Sequence, residues 1–76
     1  MDYEYTARFQ RLGLKVAFYR KLKGLTQAQL AELLETSPSY IGAIESTKMH
    51  KPISLKTLFR LADALDVHPS KLLEDW

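Results

Sequence analysis

Apolar residues recur along this chain at three- and four-residue intervals, with no strand-like alternation, which is the spacing of one buried face of an α-helix. Phe9, Leu12, Val16, Tyr19 and Leu22 form one stripe, so a first helix is expected from about Thr6 or Ala7 to Lys23, with Gly24 as its stop. Thr26, with Gln29 three residues on, makes a capping box for a second helix whose buried face is Leu30, Ala31, Leu33 and Leu34. Ser37 caps a third helix, and Pro38 at its first position has no N–H to leave unsatisfied. Lys48 to Ile53 reads as a loop that Pro52 keeps from continuing the helix. Ser54 then caps a fourth helix with the stripe Leu55, Leu58, Leu61, Ala62 and Leu65. Asp66-Val67-His68 turns the chain, and Pro69 opens a short fifth helix carrying Leu72 and Leu73. The pattern predicts an all-α fold: one compact five-helix domain over residues 1–76, with its core at 8–73 and an N-terminal arm at 1–6.

The third helix poses a question. With Ile41 and Ile44 turned inward, its other face carries Ser39, Gly42, Ala43 and Ser46, flanked by Tyr40. Glycine inside a helix costs about 1 kcal/mol relative to alanine, and bulky exposed side chains would cost folding nothing. Close approach to a partner surface is one reason for a small face. The second and third helices are joined by about three residues, a connection tight enough to hold a short helix proud of the body. A helix laid in the major groove of DNA meets both conditions.

Charge sharpens this picture more than composition does. The 76 residues make one domain, 46% of them hydrophobic, and the absence of cysteine excludes a disulfide or cysteine-zinc framework. No run approaches the ~18 apolar residues of a membrane span, and the acidic Met1–Tyr5 start lacks the apolar stretch of a signal peptide. The expectation is a soluble cytoplasmic protein. Net charge is only +2, but it is segregated. Arg8, Arg11, Lys15, Arg20, Lys21 and Lys23 form one acid-free stretch, and Lys48, Lys51, Lys56 and Arg60 form another. From Asp63 onward acids prevail. A bipolar surface of this kind suits a polyanion at one end. Catalytic readings find little support. His50 and His68 lack metal-ligand spacing, Ser39 and Ser70 lack a His/Asp constellation, and no Gly-rich phosphate loop occurs. No metal, cofactor or small-molecule ligand is expected.

The stretch "RKLKGLTQAQLAELLETSPSYIGAIES" resembles the helix-turn-helix of lambda-repressor/Cro-like (XRE-type) DNA-binding domains. The likeness covers about Leu12 to Leu73. It rests on Thr26-Gln27 with Leu30-Ala31, on Tyr40-Ile41 with Ile44-Glu45, on Leu55 and Leu58, and on the closing "LADALDVHPSKLL". "YIGAIE" and "ALDVHPSKLL" look most like restriction–modification controller proteins, with small phage-type repressors close behind. Two departures stand out. The family turn often has Gly where Glu35 stands and an aliphatic residue where Thr36 stands. It also commonly has Gly after a Glu-Arg or Glu-Asn pair, where this chain has Glu45-Ser46-Thr47.

The resemblance implies that residues 38–46 form a recognition helix in the major groove, with Pro38, Ser39, Tyr40 and Ala43 at the bases. It implies phosphate contacts from Gln27, at the start of the second helix where amide groups favour an anion, and from Ser37, Thr47, Lys48, Lys51 and Lys56. It pairs Arg20 with Glu45 as a structural ion pair. It further implies a homodimer on a pseudo-palindromic operator, joined through the last helices, with Leu65, Val67, Leu72 and Trp76 as interface residues. Repression and activation both remain open. The base-reading face has no Arg, Asn or Gln, so DNA shape is expected to carry a large share of specificity. Leu14 and Phe18 lie off the main stripe, either under the C-terminal segment with Trp76 or between subunits. Tyr3 and Tyr5 belong to the arm. The alternative function is a protein-interaction module, antitoxin-like or adaptor, docking through the small face. The lysines around that face favour DNA.

Overall fold

The computed structural model describes residues 3–48 and 51–74, with side chains from Tyr5 onward. Five helices follow one another: α1 (Tyr3–Leu22), α2 (Gln27–Leu33), α3 (Pro38–Glu45), α4 (Leu55–Leu65) and α5 (Ser70–Leu73). No strand occurs among the described residues. Local chemistry sets the helix starts. The Thr26 hydroxyl accepts from Gln29 N–H and the Gln29 side chain accepts from Thr26 N–H, closing the capping box. Ser37 and Ser54 each accept from the third N–H of the helix they open.

Three helices end by one device. In each, a residue in the left-handed region lets two successive N–H groups fold back onto carbonyls of the last turn. After α1 that residue is Gly24 (φ 78°), after α2 it is Glu35 (φ 56°), and after α4 it is Asp66 (φ 57°). Glu35 carries a Cβ that clashes with its own backbone in this conformation, at a cost of about 1–2 kcal/mol. The α2 end is also tied from outside: Arg60 Nη2 of α4 donates to Leu34 O at 2.6 Å.

Leu12, Val16, Leu30, Ala31, Leu34, Ile41, Ile44, Leu58, Leu61, Ala62, Leu65 and Leu72 make a single core to which every helix contributes. α3 sits close on α1 because Gly13 has no side chain: a Cβ there would lie 2.0 Å from the carbonyl oxygen of Ile44. Several expectations need correction. Residues 3–6 are the first turn of α1, not an arm, and the rest of the expected arm, residues 1–2, lies outside the described residues. Leu22, Leu33, Leu55 and Leu73 are exposed, Leu22 at 72%. Leu22 and Leu55 stand in terminal turns and Leu73 ends α5. Leu33 lies about a third of a turn away from the Leu30–Ala31–Leu34 face. Lys15 is the opposite case: it flanks the α1 stripe and is only 1% exposed, so it leaves the basic surface. Leu14 and Phe18 stay partly exposed, at 40% and 48%, and Trp76 lies outside the described residues.

Candidate nucleic-acid interface

The site begins with what holds α3. Arg20 on α1 and Glu45 at the end of α3 form a two-pronged ion pair, Nε to Oε2 at 2.7 Å and Nη2 to Oε1 at 2.9 Å. Their side chains are 10% and 6% exposed. The third guanidinium nitrogen, Nη1, donates to Leu25 O at 2.8 Å and so anchors the α1–α2 turn. The hydrogen bond from Glu45 raises the Arg20 pKa, burial opposes the rise, and the charge of Glu45 adds to it. Gln27 joins from α2, its Nε2 donating to Glu45 Oε1 at 3.0 Å. One carboxylate thus receives hydrogen bonds from α1 and α2 while belonging to α3, which fixes the angle of α3 to both.

What α3 then presents follows from its period. Ile41 and Ile44 are buried; Pro38 and Ser39 are exposed; Tyr40, Gly42, Ala43 and Ser46 are half-buried. Around this face the chain gathers cations. The Lys51 ammonium lies 5.6 Å from the centre of the Tyr40 ring, a cation–π distance. Lys48 is exposed and its N–H donates to the Ser46 hydroxyl at 3.1 Å. The Thr47 carbonyl accepts from Gln10 Nε2 of α1 at 3.0 Å, which pins the segment carrying Lys48. Lys56 is exposed in the first turn of α4. The structure therefore pairs Lys51 with Tyr40 and the Lys48 backbone with Ser46 beside α3. Of the two basic stretches only Lys15 and Arg20 are buried; Arg8, Arg11, Lys21 and Lys23 are exposed, as are Lys48, Lys51, Lys56 and Arg60, the last also donating to Leu34 O.

Two of the expected interface residues are unavailable. Leu65 and Leu72 are 3% and 1% exposed, packed in the subunit's own core, because α4 and α5 turn those residues toward α1. Val67 is half-buried against the same core, and Trp76 lies outside the described residues. The apolar residues that α4 and α5 do expose are Leu55, Phe59 and Leu73. Leu55 and Leu73 border a shallow groove of about 150 Å³ shared with Phe9 and Ile53. Sequence reasoning missed the Gln27–Glu45, Gln10–Thr47 and Arg60–Leu34 bonds, which join residues 18, 37 and 26 positions apart. Local pattern carries no signal for such links.

Among the described residues no helix is long and apolar enough to cross a membrane, and no group of His, Cys, Asp or Glu could hold a metal ion. The helix-turn-helix family model HTH_3 matches residues 16–72. The chain is 39% identical over 62 residues to the control protein C.SmaI of Serratia marcescens, covering 82% of this chain and 71% of that protein. It is 36% identical over 56 residues to the HTH-type transcriptional regulator RamB of Mycobacterium tuberculosis, 74% of this chain but 11% of that one. Among solved structures, the restriction-modification controller protein C.AhdI of Aeromonas hydrophila superposes with a TM-score of 0.79 at 35% identity, covering 87% of this chain and 97% of that one. SinR, described as the master regulator for biofilm formation and solved in complex with DNA, superposes at 0.73 with 33% identity, covering 83% and 98%.

Proposed function

The chain belongs to the XRE-type helix-turn-helix family of DNA-binding transcriptional regulators, not enzymes, and from that premise we propose that it acts as a sequence-specific homodimer with α3 in the major groove. The observation that carries the reading is the outer face of α3, small at Ser39, Gly42 and Ala43 and edged by exposed Lys48 and Lys51. Pro38, Ser39, Tyr40 and Ala43 meet the base edges: Ser39 and Tyr40 by hydrogen bonds, Ala43 against a thymine methyl. Gln27, Ser37, Thr47, Lys48, Lys51 and Lys56 meet phosphates. With no Arg, Asn or Gln on this face, DNA shape supplies much of the specificity. Two subunits join through the exposed apolar patch of Leu55, Phe59 and Leu73 and place their α3 helices about 34 Å apart, on successive half-sites of a pseudo-palindrome. The likeness to C.SmaI and C.AhdI favours a controller-type role in the cytoplasm.

Selection of genomic fragments by the purified protein at two salt concentrations tests this reading. The expected result is an enriched inverted repeat whose affinity falls steeply with salt. Absence of binding at low salt would overturn it and make the small face of α3 a protein-docking surface.

A further inference from the structure

Glu45 does more than hold Arg20. The Oε1 atom that accepts from Arg20 Nη2 at 2.9 Å also accepts from Gln27 Nε2 at 3.0 Å. Gln27 opens α2 and is exposed, and its side chain reaches across to α3, where it bonds Glu45. On the way its carboxamide passes over Gly42, where an added Cβ would stand 3.7 Å from Gln27 Oε1 and 3.9 Å from Nε2. Gly42 and Glu45 are three residues apart and so share a helix face. A free glutamine loses much rotamer entropy when a ligand immobilises it. Here the carboxamide is held before any ligand arrives by a charged acceptor, Glu45 Oε1, over a position where Gly42 leaves it room. Hydrogen bonds to charged groups are the stronger class.

We propose that Glu45 is a positioning residue for DNA binding: it holds the Gln27 carboxamide with one N–H bound, so that the second N–H of the same group points its donor at a backbone phosphate. This rests on the reading of Gln27 as a phosphate contact. Arg20 of α1 fixes Glu45 of α3, and Glu45 fixes Gln27 of α2, so the ion pair that closes the fold also aims an anchor. Charge alone predicts the opposite sign. A carboxylate beside a polyanion opposes binding, and removing or withdrawing it would tighten the complex.

The test titrates the full chain into a labelled mixed-sequence duplex of about 30 base pairs, long enough for two half-sites one turn apart. Wild type, Gln27→Ala, Glu45→Asp and the double variant are compared at two salt concentrations, below each variant's melting temperature. Gln27→Ala is expected to weaken binding about 5- to 10-fold with an unchanged salt slope, because the carboxamide releases no counterion. Glu45→Asp keeps a carboxylate charge beside Arg20 but draws the accepting oxygen back by one methylene from both Arg20 and Gln27, and is expected to weaken binding by a similar factor. Gln27→Asn, which leaves the ion pair untouched, is measured beside it. The double variant is expected to be no weaker than Gln27→Ala alone, and the Gln27 side-chain amide resonances of free Glu45→Asp to collapse toward random-coil positions. Additive losses, or a Glu45→Asp protein that binds as well as or better than wild type, would overturn the proposal. Whether or not Glu45→Asp folds, Gln27→Asn shortens the link from the other side, and wild-type affinity in that variant overturns the proposal. Binding by wild type with no loss in Gln27→Ala defeats the proposal and leaves the regulator reading standing. Absence of binding by wild type defeats both.

Discussion

Gly13 in α1 and Gly42 in α3 both sit inside helices, where glycine is unfavourable, and their surroundings differ. A Cβ at Gly13 would strike the backbone carbonyl of Ile44 at 2.0 Å. A Cβ at Gly42 would meet only the end of the Gln27 side chain, at ordinary van der Waals distance. The inner face of α3 requires a missing side chain on its neighbour for the fold to close. The outer face lacks side chains although the fold leaves room for them. What stands opposite a small residue, not its smallness, tells whether the need is internal or lies with a partner.

The largest expected effects fall on the inner side. Arg20→Ala leaves the Glu45 carboxylate buried without its cation, and denaturant unfolding should show a loss of about 3–5 kcal/mol. Glu45 raises the Arg20 pKa, so the part of stability that depends on Arg20's own charge is fully present below the ordinary arginine range and is lost only as pH rises through the raised value. With respect to Arg20, stability between pH 6 and 9 should be flat. A stability change of under about 1 kcal/mol in Arg20→Ala would place the pair among exposed ones and blur the contrast between the two faces. Gly13→Ala comes next. The clash is with backbone, which cannot rotate away, so α1 and α3 must part and stability should fall by about 3 kcal/mol. An unchanged melting temperature would mean that the helices do not approach as closely as they stand here.

Much of this architecture is legible in the sequence because its causes are local. Thr26 with Gln29, Ser37 with Pro38, and Ser54 mark three helix starts within four residues of each cap, and the Ile41/Ile44 spacing separates the inner from the outer face of α3. The misreadings share a different cause. Leu22, Leu33, Leu55 and Leu73 fit apolar stripes, but a stripe is buried only as far as another helix covers it, and all four of these residues stand at helix ends. Lys15 reads as a surface cation yet is buried, and Arg60, which stays exposed, also donates to the Leu34 carbonyl; neither follows from a spacing rule. Leu65 and Leu72 fit a dimer seam as well as a core, and only the packing of α5 against α1 decides between them. For the site, the α3 face was readable, whereas the Arg20–Glu45 pair came from the family likeness, and the link from Glu45 to Gln27 became visible only when the helices were packed.

A smaller effect tests the turn between α2 and α3. Glu35 holds a left-handed backbone with a side chain 89% exposed. Its carboxylate stands 3.8 Å from Arg60, an exposed pair of little worth. Glu35→Gly removes the Cβ penalty and should stabilise the fold by about 1 kcal/mol, read as a rise in melting temperature of about 4–8 °C for a domain of this size. DNA affinity should stay within about twofold, because any gain lies in folding and not in the interface. A loss of stability would mean that the Arg60 contact outweighs the backbone strain.

Gly42→Ala sharpens the opening contrast most, although its effect on stability is the smallest. Alanine at position 42 finds Gln27 at a comfortable distance, so the helix should gain about 0.5–1 kcal/mol, opposite in sign to Gly13→Ala. If the outer face is small because DNA comes close, the same substitution should weaken DNA binding severalfold while the fold becomes more stable. Thermal melts and duplex titrations on one preparation would show both signs together. A protein that is more stable and binds DNA as wild type does would mean that position 42 stays clear only for the Gln27 carboxamide, and that contact with the groove is made at Ser39, Tyr40 and Ala43. A protein that is less stable would show that α3 is already strained where Gln27 crosses it, and the two glycines would then serve the same internal need.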